Sequence, residues 1–193
     1  MKVLITGTSR GIGRACALKY IREGHEVIGF DIREDTISPA CGDVPYVHYQ
    51  TDIAGELPDI EGIEILVNNA GVQEGGNEIE INLKATIRLT EKYAFQPAIR
   101  SVLFMASSSA SNGAEFPLYA ASKGGIVAYM KNVALRLAPY GATSNSISAG
   151  GVLTELNRHI IEDEHLMQMC LDETLFHKWA SPEEIAELCY YLT

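Results

Sequence analysis

The start of the chain places a glycine-rich turn between a short apolar strand and a helix, and this arrangement restricts the fold more than any other stretch. Lys2–Thr6 is a β-branched run that suits a strand buried on both faces. The turn at 7–13 has the pattern G-x-x-x-G-x-G, and a helical pattern follows it and ends near Gly24. Backbone N–H groups at such a helix N-terminus can bind a pyrophosphate, and side chains at the glycines would block its close approach. The pattern therefore predicts a dinucleotide-binding unit, with a turn that binds nothing as the alternative.

The second predicted strand, at 26–30, ends at a carboxylate. Asp31 follows this strand, roughly 20 residues after the glycine turn, where an acid can accept hydrogen bonds from the adenosine ribose hydroxyls. The same charge would repel a 2′-phosphate, so the sequence predicts NAD rather than NADP. Arg10 and Arg33 argue the other way, since either can pair with such a phosphate. A solvated acid at a strand end is the alternative interpretation of Asp31.

Tyr119 and Lys123 stand four residues apart, which places them on one face of a helix. A lysine ammonium near a phenol favours the phenolate, so the tyrosine pKa should fall from about 10 toward neutrality. Such a phenol can exchange a proton with an alcohol or carbonyl oxygen. Ser107 follows a predicted strand at 101–105 and can hold the same oxygen, although Ser108 and Ser109 are close enough to take its place. A chance Y-x-x-x-K pair remains the alternative.

The charge balance argues against nucleic acid as a partner. The net charge is −10, whereas the phosphates of nucleic acids demand a basic surface. The four cysteines show no C-x-x-C pair and no metal-ligand spacing, so we expect reduced thiols and no metal site. No signal peptide precedes the first strand and no apolar run approaches membrane-spanning length. We therefore expect a soluble, cytoplasmic protein with no membrane partner.

The connections between the predicted strands are short. A parallel crossover usually carries a helix and needs about a dozen residues, yet the segment before a third strand at 46–51 contains Pro39, Gly42 and Pro45 without helical periodicity. The next crossover, at 53–62, is equally short and contains Pro58. We expect irregular connections and an outer layer with trimmed helices.

The rest of the chain continues the alternation of strands and helices. Further strands are predicted at 63–67 and 143–148, and helices at 79–97, 119–139, 156–175 and 182–193. A chain of 193 residues is most simply one domain, 1–193. Within it, 153–180 is the expected substrate lid. Its Met and aromatic residues, among them Met169, Phe176 and Trp179, are expected to be core rather than pocket.

Together these features resemble the short-chain dehydrogenase/reductase family. The matching residues and motifs are T-G-x-x-x-G-I-G at 6–13, Asp31, Asp52-Ile53, N-N-A-G at 68–71, Asn82, Ser107, Y-x-x-x-K at 119–123, N-x-x-x-x-G-x-V-x-T at 145–154 and P-E-E-I-A at 182–186. They span nearly the whole chain in the order of the family. The resemblance implies an α/β fold of the Rossmann type, a doubly wound parallel sheet in three αβα layers.

The resemblance also implies an oxidoreductase that transfers a hydride between NAD(H), or less readily NADP(H), and a small secondary alcohol or ketone. In that family the tyrosine, here Tyr119, exchanges a proton with the substrate oxygen and Ser107 positions it. Lys123 binds the nicotinamide ribose, and Asn82 helps to hold a water in a proton relay. The residues expected to bind the cofactor are Gly7, Ser9, Arg10, Gly11, Ile12, Gly13, Asp31, Ile32, Asp52, Ile53, Asn69, Ala70, Gly71, Tyr119, Lys123, Val152 and Thr154.

The chain departs from the family pattern in several places. Ala149 stands where the family usually has proline, and Gly71 and Asn82 are closer together than usual. Family members typically continue into a last strand of the sheet, so this chain is expected either to be a minimal member without that strand or to omit segments of the full sequence. A homodimer or homotetramer is expected through the helices at 80–97 and 118–138, with Tyr93 and Tyr129 flanking the contact face. The alternative function is a non-catalytic dinucleotide-binding sensor or scaffold.

Overall fold

The computed structural model describes residues 1–41, 44–114 and 116–193, and one parallel sheet runs through them. Its strands are β1 (Lys2–Thr6), β2 (Glu26–Asp31), β3 (Tyr46–Gln50), β4 (Ile65–Asn68), β5 (Ser101–Met105) and β6 (Thr143–Ile147). The strand order is β3-β2-β1-β4-β5-β6, and each neighbouring pair is parallel. The order reverses between β1 and β4, so the carboxyl ends of these strands open a crevice. The predicted doubly wound sheet is confirmed, although β4 begins later than predicted.

Helices of very different lengths connect the strands or follow the last of them. They are α1 (Gly11–Arg22), α2 (Ser38–Cys41), α3 (Thr86–Tyr93), α4 (Ser109–Asn112), α5 (Pro117–Leu137), α6 (Arg158–Ile161), α7 (Glu164–Asp172) and α8 (Pro182–Leu192). A π-helix spans Ile79–Ala85, and 3-10 turns span Ala138–Tyr140 and Glu155–Asn157. Among the described residues, no helix combines the length and the apolar character needed to cross a membrane.

Alternate residues of each strand face opposite helical layers. Val3 and Ile5 of β1 pack with Tyr20 in a cluster that also takes in residues of α1 and α8. Leu4, between them, packs in a second cluster with Leu89 of α3 and residues of α5. All five side chains are fully buried, and each contributes roughly 1.5–3 kcal/mol of burial free energy. The predicted three-layer arrangement is confirmed.

The crossover from β3 to β4 contains no helix in residues 51–64, and side chains of α3 support it instead. Lys92 donates to the carbonyl oxygen of Leu57 at 2.7 Å, and the Tyr93 hydroxyl donates to that of Pro58 at 2.5 Å. Arg88 donates to two further carbonyls of this segment, at 2.6 and 2.8 Å. These bonds satisfy backbone acceptors that would otherwise lack partners near the core. The expected irregular connection is confirmed here.

The crossover from β2 to β3 differs from the prediction, because it contains the one-turn helix α2. The Asp35 carboxylate accepts the N–H groups of Ile37 and Ser38, at 2.7 and 3.1 Å, and so starts the turn. Ile37 is fully buried and anchors the segment in the core. The expectation of no helix in this crossover is wrong at 38–41. Gly42, which was part of that expectation, lies outside the described residues.

The predicted helix at 79–97 is a π-helix followed by α3. The side chain of Tyr93 at the end of α3 is 1% exposed, because its hydroxyl reaches Pro58 inside the molecule. Tyr129 packs edge-on against Phe104, with 5.8 Å between ring centroids. The expectation that Tyr93 flanks a contact face is therefore wrong, whereas the same expectation for Tyr129, which is partly exposed, stays a prediction.

The predicted helix at 156–175 is broken into a 3-10 turn, α6 and α7. Asp163 accepts the N–H groups of His165 and Leu166, each at 3.0 Å, and has the extended backbone of an N-cap. A continuous helix cannot pass through a residue in that conformation. The predicted start of α8 is confirmed, since Ser181 and Glu184 form a reciprocal capping box.

Gly13 fixes the distance between α1 and the ends of β1 and β4. A Cβ at this position would overlap the carbonyl oxygen of Gly7 and the side-chain nitrogen of Asn69. The helix can therefore lie this close to the sheet only with glycine at position 13.

Replacing Gly13→Ala should lower the free energy of unfolding by about 3 kcal/mol, because the overlap includes backbone atoms that cannot rotate away. Gly124→Ala is the matched control: this glycine also lies within a helix, but a Cβ there would be 3.9 Å from its nearest neighbour, the Ala110 carbonyl oxygen. The control should stabilise by up to about 1 kcal/mol through helix propensity. Urea unfolding measures the free energy of unfolding of both variants. Equal changes in Gly13→Ala and Gly124→Ala would contradict the close packing at Gly13.

Candidate active site

A cavity of about 830 Å³ lies at the carboxyl ends of the strands. It brings most of the predicted site residues together: Gly7, Arg10, Gly11, Ile12, Asp31, Ile32, Asp52, Ile53, Asn69, Ala70, Gly71, Ser107, Tyr119, Lys123, Val152 and Thr154. Ser9, Gly13 and Asn82 are not part of its lining. The crevice at the switch point of the sheet is thus continuous with the Tyr119–Lys123 pair.

The glycine turn has the geometry of an anion cradle. Gly7 and Gly11 have φ values of +77° and +52°, which side chains rarely allow, and a Cβ on Gly7 would stand 2.7 Å from the Asn69 amide nitrogen. Among the described residues, no side chain caps the start of α1, and its first turn contains no acid. The N–H groups of that turn are therefore left to bind an anion. The turn fits the pyrophosphate of a dinucleotide.

The carboxylate of Asp31 is fixed by two backbone donors. The N–H groups of Ser9 and Arg33 donate to its two oxygens, each at 2.9 Å. Ser9 in turn is 5% exposed, and its hydroxyl donates to the carbonyl oxygen of Glu34 at 2.8 Å. Each oxygen of Asp31 keeps a lone pair for a further donor from the cavity. Ser9 therefore acts on this end of the cavity by orienting Asp31.

Lys123 is buried directly behind Tyr119. Pro117 begins α5, so Tyr119 and Lys123 lie one turn apart, with the lysine nitrogen 5.6 Å from the centroid of the tyrosine ring. Nζ donates to the carbonyl oxygen of Met105 at the end of β5, at 2.7 Å. Burial lowers the pKa of Lys123 to about 8, because the charged form loses its hydration. The group still carries its proton for most of the time at neutral pH.

Asn82 connects two parts of the site without entering the cavity. Its side chain accepts the N–H of Val72 and donates to the carbonyl oxygen of the same residue, both at 2.8 Å. It also donates to the Ser122 hydroxyl at 3.0 Å, and Ser122 donates to the carbonyl oxygen of Tyr119 at 2.7 Å. The π-helix thus ties the loop after β4 to the start of α5. Sequence reasoning missed Ser122, whose only signal is a small polar residue beside the lysine.

The serines after β5 divide into two groups. Ser107 and Ser108 line the cavity, whereas Ser109 is 2% exposed and does not. The Ser107 hydroxyl accepts the N–H of Ser109 at 3.2 Å and donates to its hydroxyl at 3.1 Å. The structure therefore reduces the three candidates for the substrate-positioning serine to Ser107 and Ser108.

Residues 153–180 form a segment whose two ends are tied together. Val152 and Ala180 form a parallel bridge, and Trp179 packs so tightly on Gly151 that a Cβ there would overlap the indole. Trp179 is buried. Both Trp179 and the more exposed Leu156 line the cavity. The Met and aromatic side chains of this segment were expected to lie in the core, and not all of them do.

Met169 and Phe176 are the clear exceptions. Their side chains are 52% and 91% exposed, so the prediction that they belong to the core is wrong. Helices α6 and α7 are too short to form a layer with an interior of its own. Ala149, at the position where proline was expected, uses its carbonyl oxygen to accept the N–H of Ser108 at 2.9 Å. Among the described residues, no cluster of His, Cys, Asp and Glu is placed to hold a metal ion.

Known proteins that resemble this chain over most of its length include reductases and dehydrogenases. The 3-oxoacyl-(acyl-carrier-protein) reductase FabG of Buchnera aphidicola is 28% identical over 217 residues, which cover 97% of this chain and 87% of that protein. The aligned length exceeds the 193 residues of this chain. The relative therefore carries internal segments that this chain lacks, as the short crossovers lead one to expect.

Two solved structures show the same architecture. A candidate 2-deoxy-D-gluconate 3-dehydrogenase from Agrobacterium tumefaciens with bound NADP has a TM-score of 0.88 and 26% identity, covering all of this chain and 88% of that one. A 4-hydroxyisoleucine dehydrogenase mutant complexed with NADH and succinate has a TM-score of 0.86 and 24% identity, covering all of this chain and 90% of the other, and supports the fold alone. The model of the short chain dehydrogenase family matches residues 1–165. The chain belongs to the short chain dehydrogenase family and is an NAD(P)-dependent oxidoreductase.

Proposed function

We propose that this enzyme transfers a hydride between NAD(H) and a small secondary alcohol or ketone, with Tyr119 exchanging the proton of the substrate oxygen. The observation that carries the proposal is the buried, protonated Lys123 held one helical turn behind Tyr119 in the cavity that also contains the glycine turn. A positive charge at this position favours the deprotonated form of the phenol. A non-catalytic dinucleotide-binding sensor or scaffold would not require, beside a tyrosine, a buried ammonium group, which loses its hydration on folding.

The residues of the cavity divide into those that hold the cofactor and those that move the proton. The α1 turn would bind the pyrophosphate, Asp31 the adenosine ribose, and Lys123 the nicotinamide ribose with the ammonium protons that Met105 does not take. NAD(H), when bound, supplies or accepts the hydride. Tyr119 takes the hydroxyl proton when an alcohol is oxidised and returns it when a ketone is reduced.

Ser107 and Asn82 are proposed to position these groups. Ser107 would hold the substrate oxygen beside Tyr119 by a hydrogen bond. Asn82 acts through Ser122 and Val72, and so sets the backbone on both sides of the nicotinamide end of the cavity. Its role in holding a water for a proton relay stays a prediction.

The preference for NAD over NADP is supported by the rigidity of Asp31. Two backbone donors fix its charge where a 2′-phosphate would bind. Arg10 and Arg33, which line the same end of the cavity, favour the opposite choice. We expect the fixed charge of Asp31 to outweigh the two arginines and to favour NAD, because a flexible exposed arginine must give up side-chain entropy to pair with a phosphate.

The wider setting of the enzyme belongs to the same proposal. Residues 1–193 would form one domain in which 153–180 closes over the substrate. Cys16, Cys41 and Cys189 form no disulfide among the described residues, which supports a reducing, cytoplasmic location. A homodimer or homotetramer would bury Leu135 on the outer side of α5, which is 78% exposed.

Tyr119→Phe should reduce turnover about a hundredfold or more while leaving NADH affinity nearly unchanged, because only the hydroxyl is lost. Tyr129→Phe is the matched control, since it removes a hydroxyl from the same helix that donates to Glu91 at 2.8 Å outside the cavity. Absorbance of NADH and a fluorescence titration measure the two quantities. If Tyr119→Phe keeps most of its kcat, Tyr119 is not the proton donor.

The wild type should bind NADH more tightly than NADPH by about tenfold, as a carboxylate–phosphate repulsion of roughly 1.4 kcal/mol would give. Asp31→Asn removes the charge but retains one acceptor oxygen, and Asp31→Ala removes both, so the pair separates repulsion from hydrogen bonding. Both variants should narrow the preference if repulsion is its cause. A wild-type preference for NADPH in the titration would contradict the assignment.

A further inference from the structure

The charges of the cavity are distributed unevenly along its length. Arg10 and Arg33 line the cavity at the end that also contains Asp31. Glu155 lies beside the glycine turn, and one of its carboxylate oxygens is 3.7 Å from the position that a Cβ of Gly11 would take. We call the other part, lined by Ser107, Tyr119, Asn112 and residues 156–179, the substrate end. Among the described residues that line this end, Glu173 is the one charged side chain apart from Lys123. An anionic group on a substrate would find no free cation there.

Uncharged polar groups at the substrate end have unused hydrogen-bonding capacity. The Asn112 carbonyl oxygen accepts the N–H of Ala114 at 2.9 Å, and its NH₂ group donates to no described residue. The Asn157 NH₂ group donates to the carbonyl oxygen of Val152 at 2.9 Å, which leaves its oxygen open as an acceptor. The indole N–H of Trp179 likewise has no acceptor among the described residues. Donors and acceptors of this neutral kind suit hydroxyl groups, which can act as both.

The segment that covers the substrate end is strongly acidic. Residues 153–180 contain six carboxylates and two Lys or Arg residues. Arg158 stands 3.8 Å from Glu162, and Lys178 is paired with Glu184 of α8, so both cations are already engaged. The resulting negative potential opposes the approach of an anion and is weakened by salt.

We propose that the substrate end takes an uncharged polyhydroxylated alcohol or ketone and discriminates against substrates that carry a carboxylate or phosphate. The inference rests on the proposed function, because it names the substrate of the same site. A cationic substrate fits less well. Glu173 is exposed, where an ion pair contributes little, and the donors of Asn112 and Trp179 would be turned toward a like charge.

The test uses sets of compounds that differ at one terminal carbon: D-glucitol, D-gluconate and 1-amino-1-deoxy-D-glucitol, with the corresponding five-carbon and four-carbon sets. NADH formation gives kcat/KM for each at low ionic strength. The best uncharged polyol should exceed its carboxylate by about tenfold or more, and the gap should shrink at high salt.

Glu173→Lys places a cation at the substrate end and should reduce the discrimination against the carboxylate by about twofold to fivefold, the range of an exposed ion pair. Asp172→Lys is the matched control, because it makes the same change of charge on the neighbouring exposed residue, which does not line the cavity. Asp172→Lys should change the ratio of kcat/KM between the polyol and its carboxylate less than Glu173→Lys does. Equal effects of the two would contradict a discrimination that arises at the substrate end.

Three results would overturn the proposal: turnover of no uncharged polyol, a carboxylate preferred over its polyol, or an aminopolyol preferred by tenfold. The proposed function has a separate readout, which is NADH binding together with any turnover that Tyr119→Phe abolishes. An enzyme that oxidises only D-gluconate in a Tyr119-dependent way would therefore refute the substrate class and leave the proposed function standing.

Discussion

The ammonium group of Lys123 is held inside the protein against the carbonyl oxygen of Met105, and the site depends on this contact. Burial lowers the pKa of the lysine to about 8, so keeping it charged at neutral pH costs on the order of 3 kcal/mol. An apolar side chain would avoid that cost. The penalty is understandable if the charge is needed beside Tyr119, where it favours the phenolate. The end of β5 therefore links the core of the sheet to the chemistry of the site.

The surrounding structure holds this lysine and its tyrosine in place with few residues. Asn82 bonds to both backbone groups of Val72 and, through Ser122, to the carbonyl oxygen of Tyr119. At the other end of the cavity, the Ser9 N–H fixes Asp31. The outer layer of the fold is reduced, and side chains of α3 satisfy the carbonyl groups of a crossover without a helix. The short crossovers therefore do not displace the site residues at the carboxyl ends of the strands.

Features that depend on neighbouring residues could be predicted from the sequence. The strand–turn–helix around Gly7 and the i, i+4 pair of Tyr119 and Lys123 are set by local periodicity, and both lie where they were expected. Features that depend on distant contacts could not. Tyr93 turns inward because its hydroxyl meets Pro58, 35 positions away, and Ser122 gains its role only when the π-helix brings Asn82 beside it. No pattern in the sequence marks either contact.

The pH dependence of the free energy of unfolding, compared between the wild type and Lys123→Met, tests the central claim that Lys123 is a buried charge. Below pH about 8 the lysine is protonated in both the folded and unfolded states, and the wild type bears the full penalty. Between about 8 and 10.5 the folded state releases its proton first, so the wild type should gain on the order of 3 kcal/mol relative to the variant. Parallel curves for the two proteins would mean that the lysine is solvated, and would contradict the account.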